Sequence, residues 1–303
     1  MFDFKFPTVE DRKWMHPILS ASGNMGSESA FGTLYLWSST YYSEVCRYRD
    51  YMILYSGGHF HTYNMPIGGT GLPFDAIEAI IQDAKERGIP FRMWGITQDG
   101  VAELQKMYPG RFQFQLDRDG SDYLYNAQDL IDLPGRRFHG KRNHLAQFTR
   151  TYNWSYEDIS PANFADCVAV DREWRASREG NEEEGVAGET EAIEKAFRDY
   201  DALCLAGGLI RVEGKPVAFT VGEEIDSGTF LIHFEKALDG YNGLYAAINR
   251  EFAARRLGSY RYINREEDMG IEGLRKAKLS YHPAALLQKY AVTLRTKAEG
   301  ETL

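Results

Sequence analysis

Three closely spaced apolar segments between residues 202 and 237 constrain the fold of this chain more than any other feature. They cover residues 202–212, 215–224 and 228–237, and only a Glu-Gly turn and an Asp-Ser-Gly turn separate them. Short apolar runs joined by glycine-containing turns are typical of neighbouring antiparallel strands. The sequence therefore predicts a three-stranded antiparallel meander in the second half of the chain.

Helical patterns flank this meander on both sides. Two helices are predicted before it, one that begins at Ser160-Pro161 and one at residues 189–200, with a polar exposed loop at 178–188 between them. After it we predict a helix at 244–256, a strand at 261–264, a helix that ends at Lys278 and a strand at 286–292. This order of elements resembles the N-acetyltransferase-like fold, whose mixed sheet opens where the cofactor binds.

The first half of the chain is compatible with a second copy of the same unit. Apolar spacing predicts helices at 9–19, 74–87 and 98–107, and strands at 51–56, 60–65, 91–95 and 112–116. Residues 117–125 are interpreted as a turn followed by an aromatic strand or the start of a helix. We therefore expect an α+β protein with two tandem acyl-CoA N-acyltransferase-like (GNAT) modules and mainly antiparallel sheets. Residues 1–158 would form the N-terminal module and residues 159–303 the C-terminal module, which carries the active site.

Composition narrows the class of protein. With 303 residues, of which 43% are apolar and 14% aromatic, the chain is long enough for two folded domains. The net charge of -9 excludes a generally basic nucleic-acid-binding surface, so any RNA contact must be local. Three widely spaced cysteines, no signal-peptide pattern and no apolar run of 18 residues predict a cytoplasmic protein without stable membrane insertion. Only His59 and His61 lie close together, so no metal site is predicted.

Charged residues are densest in the segment 260–283. A predicted strand ends near residue 263, a helix follows from about residue 271, and the loop between them carries Arg265, Glu266, Glu267 and Asp268. Loops that leave a strand and enter a helix N-terminus often hold ligands, because the free N–H groups of the helix favour anions. A charged turn in solvent is the structural alternative.

This segment contains candidates for acyl transfer to an amine. The reaction needs a deprotonated nucleophile, close approach to the acyl carbon and donors for the oxyanion. Glu235 or Glu267 could act as the general base, and Lys278 or Tyr281 could stabilise the oxyanion or protonate the leaving group. The competing account is that Lys278 and Arg275 only pair with the carboxylates of the loop.

The third strand of the meander also carries polar residues. Strict alternation places His233 and Glu235 on one face and Phe234 and Lys236 on the other. The following turn contains Gly240, Asn242 and Gly243 just before a helix, which suits either a phosphate cradle or a simple glycine turn.

A basic stretch, Lys141-Arg142-Asn143, opens an amphipathic segment in the first half. It could bind phosphate or the end of an RNA. A solvated helix face is the structural alternative.

Together these motifs resemble one family, the C-terminal domain of phosphatidylglycerol lysyltransferases. The resemblance covers nearly the whole chain and lies in 141–143, in His233-Phe234-Glu235-Lys236, in 263–270, and in 273–278 with Tyr281-His282-Pro283. It implies two tandem N-acetyltransferase-like modules and transfer of an aminoacyl group from aminoacyl-tRNA to a hydroxyl or amine acceptor. It also implies that no cofactor is tightly bound and that tRNA is a partner.

The resemblance and the local patterns together define the expected site. The catalytic candidates are Glu235, Glu267 and Lys278, and the phosphate-binding candidates are Gly240, Asn242 and Gly243. The substrate-binding candidates are Lys141, Arg142, Asn143, His233, Lys236, Asn264, Arg265, Asp268, Arg275 and Tyr281. The donor is expected to be aminoacyl-tRNA or acyl-CoA, and the acceptor a small molecule or a lipid.

Two alternative functions stay open at this stage. One is an acetyl-CoA-dependent N-acetyltransferase, although the acetyl-CoA signature of that fold is absent before Leu244. The other is a non-catalytic protein that binds a small ligand on the same scaffold. The sequence does not determine the oligomeric state.

Overall fold

A single mixed sheet runs through the protein. The computed structural model describes residues 2–178 and 186–295, and in this part the sheet contains twelve strands. The strands are β1 Ser43–Tyr48, β2 Tyr51–Ser56, β3 Thr62–Tyr63, β4 Ile67–Gly68, β5 Arg92–Ile96, β6 Phe112–Asn126, β7 Trp154–Asp158, β8 Ala206–Val212, β9 Lys215–Asp226, β10 Thr229–Ala237, β11 Tyr262–Asn264 and β12 Ala285–Leu294. Their order across the sheet is β1, β2, β3, β5, β12, β6, β11, β10, β9, β8, β7, with β4 beside β2.

Eleven α-helices cover this sheet within the described residues. They are α1 Arg12–Ala21, α2 Phe31–Leu36, α3 Ser38–Tyr41, α4 Phe74–Arg87, α5 Gln98–Met107, α6 Ala127–Asp132, α7 His139–Thr151, α8 Phe164–Ala176, α9 Val186–Arg198, α10 Leu244–Arg256 and α11 Glu272–Leu279. Two groups of helices pack together, one of α6, α7 and α10 and the other of α1, α2, α8 and α9. None of these helices is both long and apolar enough to span a membrane.

The second half follows the predicted order of elements. Two helices, the antiparallel strands β8 to β10, then α10, β11, α11 and β12 succeed one another. The strands are buried because they consist of apolar runs covered by helices, and Phe219, Phe234 and Leu209 lie in the largest apolar core. The predicted α+β class with N-acetyltransferase-like modules is confirmed. The predicted loop at 178–188 lies largely outside the described residues.

The last strand lies in the first half of the sheet. Strand β12 pairs with β5 and with β6, and β6 in turn pairs with β11. Strand β7 precedes residue 159 but pairs with β8. The sheet is therefore continuous across the chain, and the proposed division between residues 158 and 159 stays a prediction.

One local expectation was wrong and a second was correct only in part. The strand predicted at 60–65 is only the two-residue β3. At 117–125 the predicted aromatic strand is confirmed and the alternative of a helix start is wrong, because these residues belong to the fifteen-residue strand β6. Its partner β12 shifts register between Leu287 and Lys289, so that four residues of β6 protrude opposite Gln288. The segment predicted as a turn is thus the part of β6 that does not pair with β12. Pairing with β12 on both sides of it keeps β6 continuous, and local sequence contains no sign of that distant partner.

A second register shift affects the predicted site. Strand β10 contains a bulge between Ile232 and Phe234, so strict alternation fails at His233. The His233 ring lies against Gly32 of α2, whereas Glu235 accepts a hydrogen bond from Asn249 of α10. The expectation that His233 and Glu235 share a face is therefore wrong.

Candidate active site

The loop after β11 lies at the seam between the two halves of the sheet. Strand β11 runs parallel to β10 and antiparallel to β6, so the loop emerges between strands from both halves. The backbone of Tyr123 in β6 holds the loop by accepting from the N–H of Arg265 and donating to the carbonyl of Glu266. The strand-to-helix position predicted for this loop is correct.

Lys278 forms hydrogen bonds to the backbone of the loop. Its Nζ donates to the carbonyl oxygen of Arg265 at 2.6 Å and to that of Glu267. Burial lowers the pKa of Lys278, and the carboxylates of Glu267 and Glu266 partly oppose this effect. The ammonium group thus holds the loop through two backbone carbonyls. An ammonium has three N–H donors, so these two hydrogen bonds leave a third donor.

Arg265 and Glu235 form an ion pair on the α10 side of the loop. Nη2 of Arg265 lies 2.7 Å from Oε1 of Glu235, and both side chains are about nine-tenths buried, with 12% and 10% exposed. Asn249 donates to the other carboxylate oxygen at 3.1 Å. The guanidinium also lies 4.9 Å from the ring centre of Tyr281 and 5.7 Å from that of Tyr125. Both oxygens of Glu235 are therefore already engaged.

Lys141 of α7 approaches the same pair. Its Nζ lies 3.7 Å above the ring centre of Tyr281. Burial and the positive charge of Arg265 lower the pKa of Lys141 to about 8, against the opposing effect of Glu235. The structure therefore brings Lys141, Arg265, Glu235 and Tyr281 together, as the sequence predicted for one site.

His233 lies between two glutamates on the other side of the loop. Nε2 lies 3.0 Å from Glu223 and Nδ1 lies 3.2 Å from Glu266, while the N–H of Gly32 donates to Glu223 at 2.6 Å. Burial alone would lower the pKa of His233, but the two carboxylates outweigh it and raise the pKa to about 9. The imidazole is therefore a charged bridge between β9 and the loop.

A buried cluster around Lys289 lies next to this loop. Nζ of Lys289 lies 2.7 Å from Asp122 and 2.8 Å from Glu28, and Asn264 donates to Asp122 at 2.9 Å. Burial would lower the pKa of Lys289, but Asp122, Glu28 and Glu267 outweigh it and raise the pKa. Asn264, which was predicted to bind substrate, thus donates a hydrogen bond to a buried carboxylate inside the protein.

Glu267 differs from its acidic neighbours. Within residues 2–178 and 186–295 its carboxylate forms no ion pair, and a hydrogen bond from its own backbone N–H reaches it. Burial is the main reason that the pKa of Glu267 rises to about 7; Asp122 and Glu266 add to it, and Lys289 opposes it. A carboxyl group with a pKa near neutrality can take up and release a proton at physiological pH.

Tyr41 of α3 interacts electrostatically with this carboxyl group. Burial raises the pKa of Tyr41 to about 12, with further contributions from Glu267 and Glu266. Tyr41 is 38% exposed to solvent.

Asp268 and Arg275 belong to a separate ion-pair cluster. Asp268 is fully buried and pairs with Arg275 at 2.7 Å and with Arg118 at 3.1 Å, and Tyr123 donates to it at 2.5 Å. Arg275 also pairs with Asp119 at 2.6 Å. Arg275 therefore pairs with a carboxylate of the loop, as the alternative to a catalytic role predicts. Lys278 does not, because it contacts carbonyl oxygens.

Three predicted residues lie away from the loop. Lys236 pairs with Glu189 at 2.6 Å and lies 3.5 Å from the ring centre of Trp174. Arg142 donates to the carbonyls of Leu133 and Gly135. Asn143 is exposed and contacts His139, and its neighbour Arg142 lines a groove of about 530 Å³. Lys141 does not line that groove.

The two glycines of the predicted phosphate-binding turn differ in the space that surrounds them. Gly240 has φ of 88° and open space around its Cα, whereas a Cβ on Gly243 would lie 2.2 Å from the carbonyl oxygen of His144 in α7. The N–H of Asn242 donates to the Tyr152 hydroxyl at 3.3 Å. Gly243 therefore allows α7 to pack on the start of α10. No cluster of three or more metal-ligating side chains occurs in the part of the chain that the structure describes.

Sequence reasoning missed Asp122, Lys289, Glu223 and Glu28. Lys289 and Glu223 each interrupt an apolar strand pattern, and a charged residue in a buried strand is a signal for a buried partner. Asp122 and Glu28 give no such signal, because their neighbours in sequence are polar.

Comparisons with known proteins identify the family and the fold of this chain. A family model described as the C-terminal part of phosphatidylglycerol lysyltransferase matches residues 21–293. A crystal structure of a conserved protein of unknown function from Bacteroides thetaiotaomicron is 38% identical, with a TM-score of 0.93 over 97% of this chain and 100% of that one. A comparison with curated proteins gives no match.

Two more distant structures share the fold. One is the C-terminal domain assigned to a lysylphosphatidylglycerol synthetase of Agrobacterium fabrum, with 15% identity and a TM-score of 0.70. The other is L-PGS from Bacillus licheniformis, with 15% identity and a TM-score of 0.68. Each alignment covers 95% of this chain and 93% of the other.

Proposed function

Because this chain belongs to the family of phosphatidylglycerol lysyltransferase C-terminal domains, we propose that it is an aminoacyl transferase whose general base is Glu267. The donor is an aminoacyl-tRNA, and the acceptor carries a hydroxyl or an amine. The observation that carries the proposal is the Glu267 carboxyl group, which lies in the loop at the seam, forms no ion pair with the described residues and has a pKa of about 7.

The proposed reaction is an acyl exchange. The acceptor oxygen or nitrogen attacks the carbonyl carbon of the aminoacyl ester while Glu267 takes the proton of the nucleophile. The resulting oxyanion collapses, the ester C–O bond breaks, and the proton passes to the ribose oxygen that leaves. Atoms and charge balance without any further reagent.

Lys278 has a supporting role in this proposal. Two of its N–H groups hold the loop carbonyls next to Glu267, and the third is free to donate to the oxyanion. His233 and Glu266 hold the other side of the loop through their hydrogen bond. These contacts position the base, since a displaced carboxylate loses much of its catalytic effect.

Radiolabelled aminoacyl-tRNAs test the proposal directly. The purified protein is incubated with charged tRNA and with lipid or small-molecule acceptors, and transfer of label to the acceptor is measured. We expect transfer by the unaltered protein and a loss of about 100-fold or more in Glu267→Gln, because general-base catalysis contributes about 10²–10⁴-fold. The matched control is Glu272→Gln, which makes the same change at an exposed glutamate in α11.

The other outcomes distinguish the alternatives. Acyl transfer from acetyl-CoA and none from charged tRNA would show that the donor is acetyl-CoA and not an aminoacyl-tRNA. Absence of transfer from either donor, together with binding of a small ligand, would favour a non-catalytic protein. Full activity in Glu267→Gln would refute the assignment of the base.

A further inference from the structure

The side chain of Asn264 connects three parts of the protein at the start of the loop after β11. Its Oδ1 accepts a hydrogen bond from the backbone N–H of Glu266 at 2.7 Å. Its Nδ2 donates to the carbonyl oxygen of Met25 at 2.8 Å and to the carboxylate of Asp122 at 2.9 Å. Asn264 is completely buried. The amide oxygen and both amide N–H groups therefore have partners within the protein.

The three partners match an amide at this position. The backbone of Glu266 supplies a donor, whereas Met25 and Asp122 supply acceptors. Asn264→Asp would place an oxygen against both acceptors, and one of these is a buried carboxylate. The Oδ1 of Asn264 thus holds the loop, and its N–H groups join the loop to the segment at Met25 and to β6.

Glu266 has a backbone conformation that needs support. Its φ is 57°, in the left-handed region that few residues other than Gly, Asn and Asp occupy. Such a conformation persists where surrounding contacts determine it, and it is common at functional sites. The hydrogen bond from the N–H of Glu266 to Oδ1 of Asn264 closes a turn of the Asx type around this residue.

The turn at Glu266 sets the direction of the next residue, Glu267. Other contacts hold the carbonyl oxygens of residues 265–267 and the N–H of Arg265. Asn264 holds the N–H of the left-handed residue itself. Without this hydrogen bond the backbone at Glu266 would relax towards an ordinary conformation, and the carboxyl group of Glu267 would be displaced.

We propose that Asn264 is a positioning residue, which holds Glu267 in place by fixing the left-handed turn at Glu266. This inference rests on the proposed function, because it explains how the general base of that transfer is held. The charged and titratable groups that interact with Glu267 come from several elements: Lys289 of β12, Asp122 of β6, Glu266 of the loop, Lys278 of α11 and Tyr41 of α3. A displaced Glu267 would lose the burial that raises its pKa, which would then fall towards 4.5.

Two variants of the same residue separate positioning from stability. Asn264→Ala removes all three hydrogen bonds. Asn264→Ser also loses the amide, but its hydroxyl oxygen can still accept from the N–H of Glu266, because serine forms the same kind of turn more weakly. Only the alanine variant should therefore release the turn.

The main measurement is the pKa of Glu267, followed by NMR titration of the full chain with labelled glutamate and assigned with Glu267→Gln. The carboxyl group should titrate at about 7 in the unaltered protein and close to this value in Asn264→Ser. In Asn264→Ala it should titrate about one pH unit or more lower. Transfer activity should fall about 100-fold in kcat/KM in Asn264→Ala, as for a displaced catalytic group, and much less in Asn264→Ser.

Hydrogen exchange of the Glu266 amide in the unaltered protein needs no variant. The amide should be protected, because Asn264 holds its hydrogen inside the fold. A freely exchanging Glu266 amide would overturn the inference even if Asn264→Ala does not fold.

The outcomes separate this inference from the proposed function. If Glu267 titrates alike in all three proteins, or if both variants shift its pKa equally, Asn264 does not act through the turn and the inference is overturned, even when transfer occurs. If only Asn264→Ala shifts the pKa but no donor supports transfer, the positioning is supported and the proposed function fails.

Discussion

Nζ of Lys289 lies 2.7 Å from Oδ1 of Asp122, and this buried contact joins the last strand of the chain to the longest strand of the first half. Both side chains are almost completely inaccessible to solvent, with 2% and 0% exposed. The contact joins β12 to β6 next to the loop that carries Glu267. Removing one member would leave buried charges uncompensated.

Lys289→Met should therefore destabilise the fold strongly. We expect a loss of about 3–5 kcal/mol in the free energy of unfolding, because Asp122 and Glu28 would both lose their cation. Urea denaturation measures this loss. The control Lys106→Met changes an exposed lysine and should stay within about 0.5 kcal/mol. A similar small effect at Lys289 would show that the cluster is not important for stability.

The rate of transfer should depend on the ionisation of Glu267. A general base must be deprotonated, so kcat/KM should fall as the pH drops below the pKa of about 7. Burial raises this pKa and Lys289 opposes the effect, so Lys289→Met should move the acidic limb to higher pH if the variant folds. The measurement is a profile of log kcat/KM against pH. An acidic limb that remains at about 7 in Glu267→Gln would assign it to another group.

His233 should make stability depend on pH in the alkaline range. Its pKa rises from 6.5 to about 9 on folding, so the folded state binds more protons between these values and stability falls as the pH increases. The stabilisation is fully present below pH 6.5 and is lost as the pH rises through about 9. The loss amounts to about 3 kcal/mol at 1.36 kcal/mol per pH unit.

Urea denaturation at several pH values between 6 and 10 measures this dependence. The reference is the double variant Glu223→Gln/Glu266→Gln, which removes the two carboxylates that raise the pKa of His233. That variant should lack the alkaline loss. If both proteins lose stability equally over this range, the loss does not arise from His233.

Two glycines in the turn before α10 should respond differently to substitution. Both have positive φ, so alanine should cost about 1–2 kcal/mol of strain at either position. Gly240 has open space, whereas a Cβ on Gly243 would lie 2.2 Å from the carbonyl oxygen of His144. Gly243→Ala should therefore be clearly less stable than Gly240→Ala in urea denaturation. Equal losses would show that α7 shifts without cost.

Local patterns predicted much of this protein correctly. The meander of β8 to β10, helices such as α4 and α5 and the loop after β11 each depend on neighbours in sequence, whose periodicity and turn residues are visible without a structure. The dense charges of that loop also pointed to Glu267, Lys278 and Arg265. Their grouping follows from one short segment of chain.

The sequence by itself thus determined the order of elements in the second half, the fold class and the segment that carries the candidate site. Only the tertiary structure decided that β12 lies between β5 and β6 and that a bulge turns His233 towards Gly32. It also decided that Asp268 forms ion pairs whereas Glu267, among the described residues, forms none. These features depend on contacts between residues far apart in the chain. Periodicity records which side of an element is buried, but it does not record which distant residue buries it.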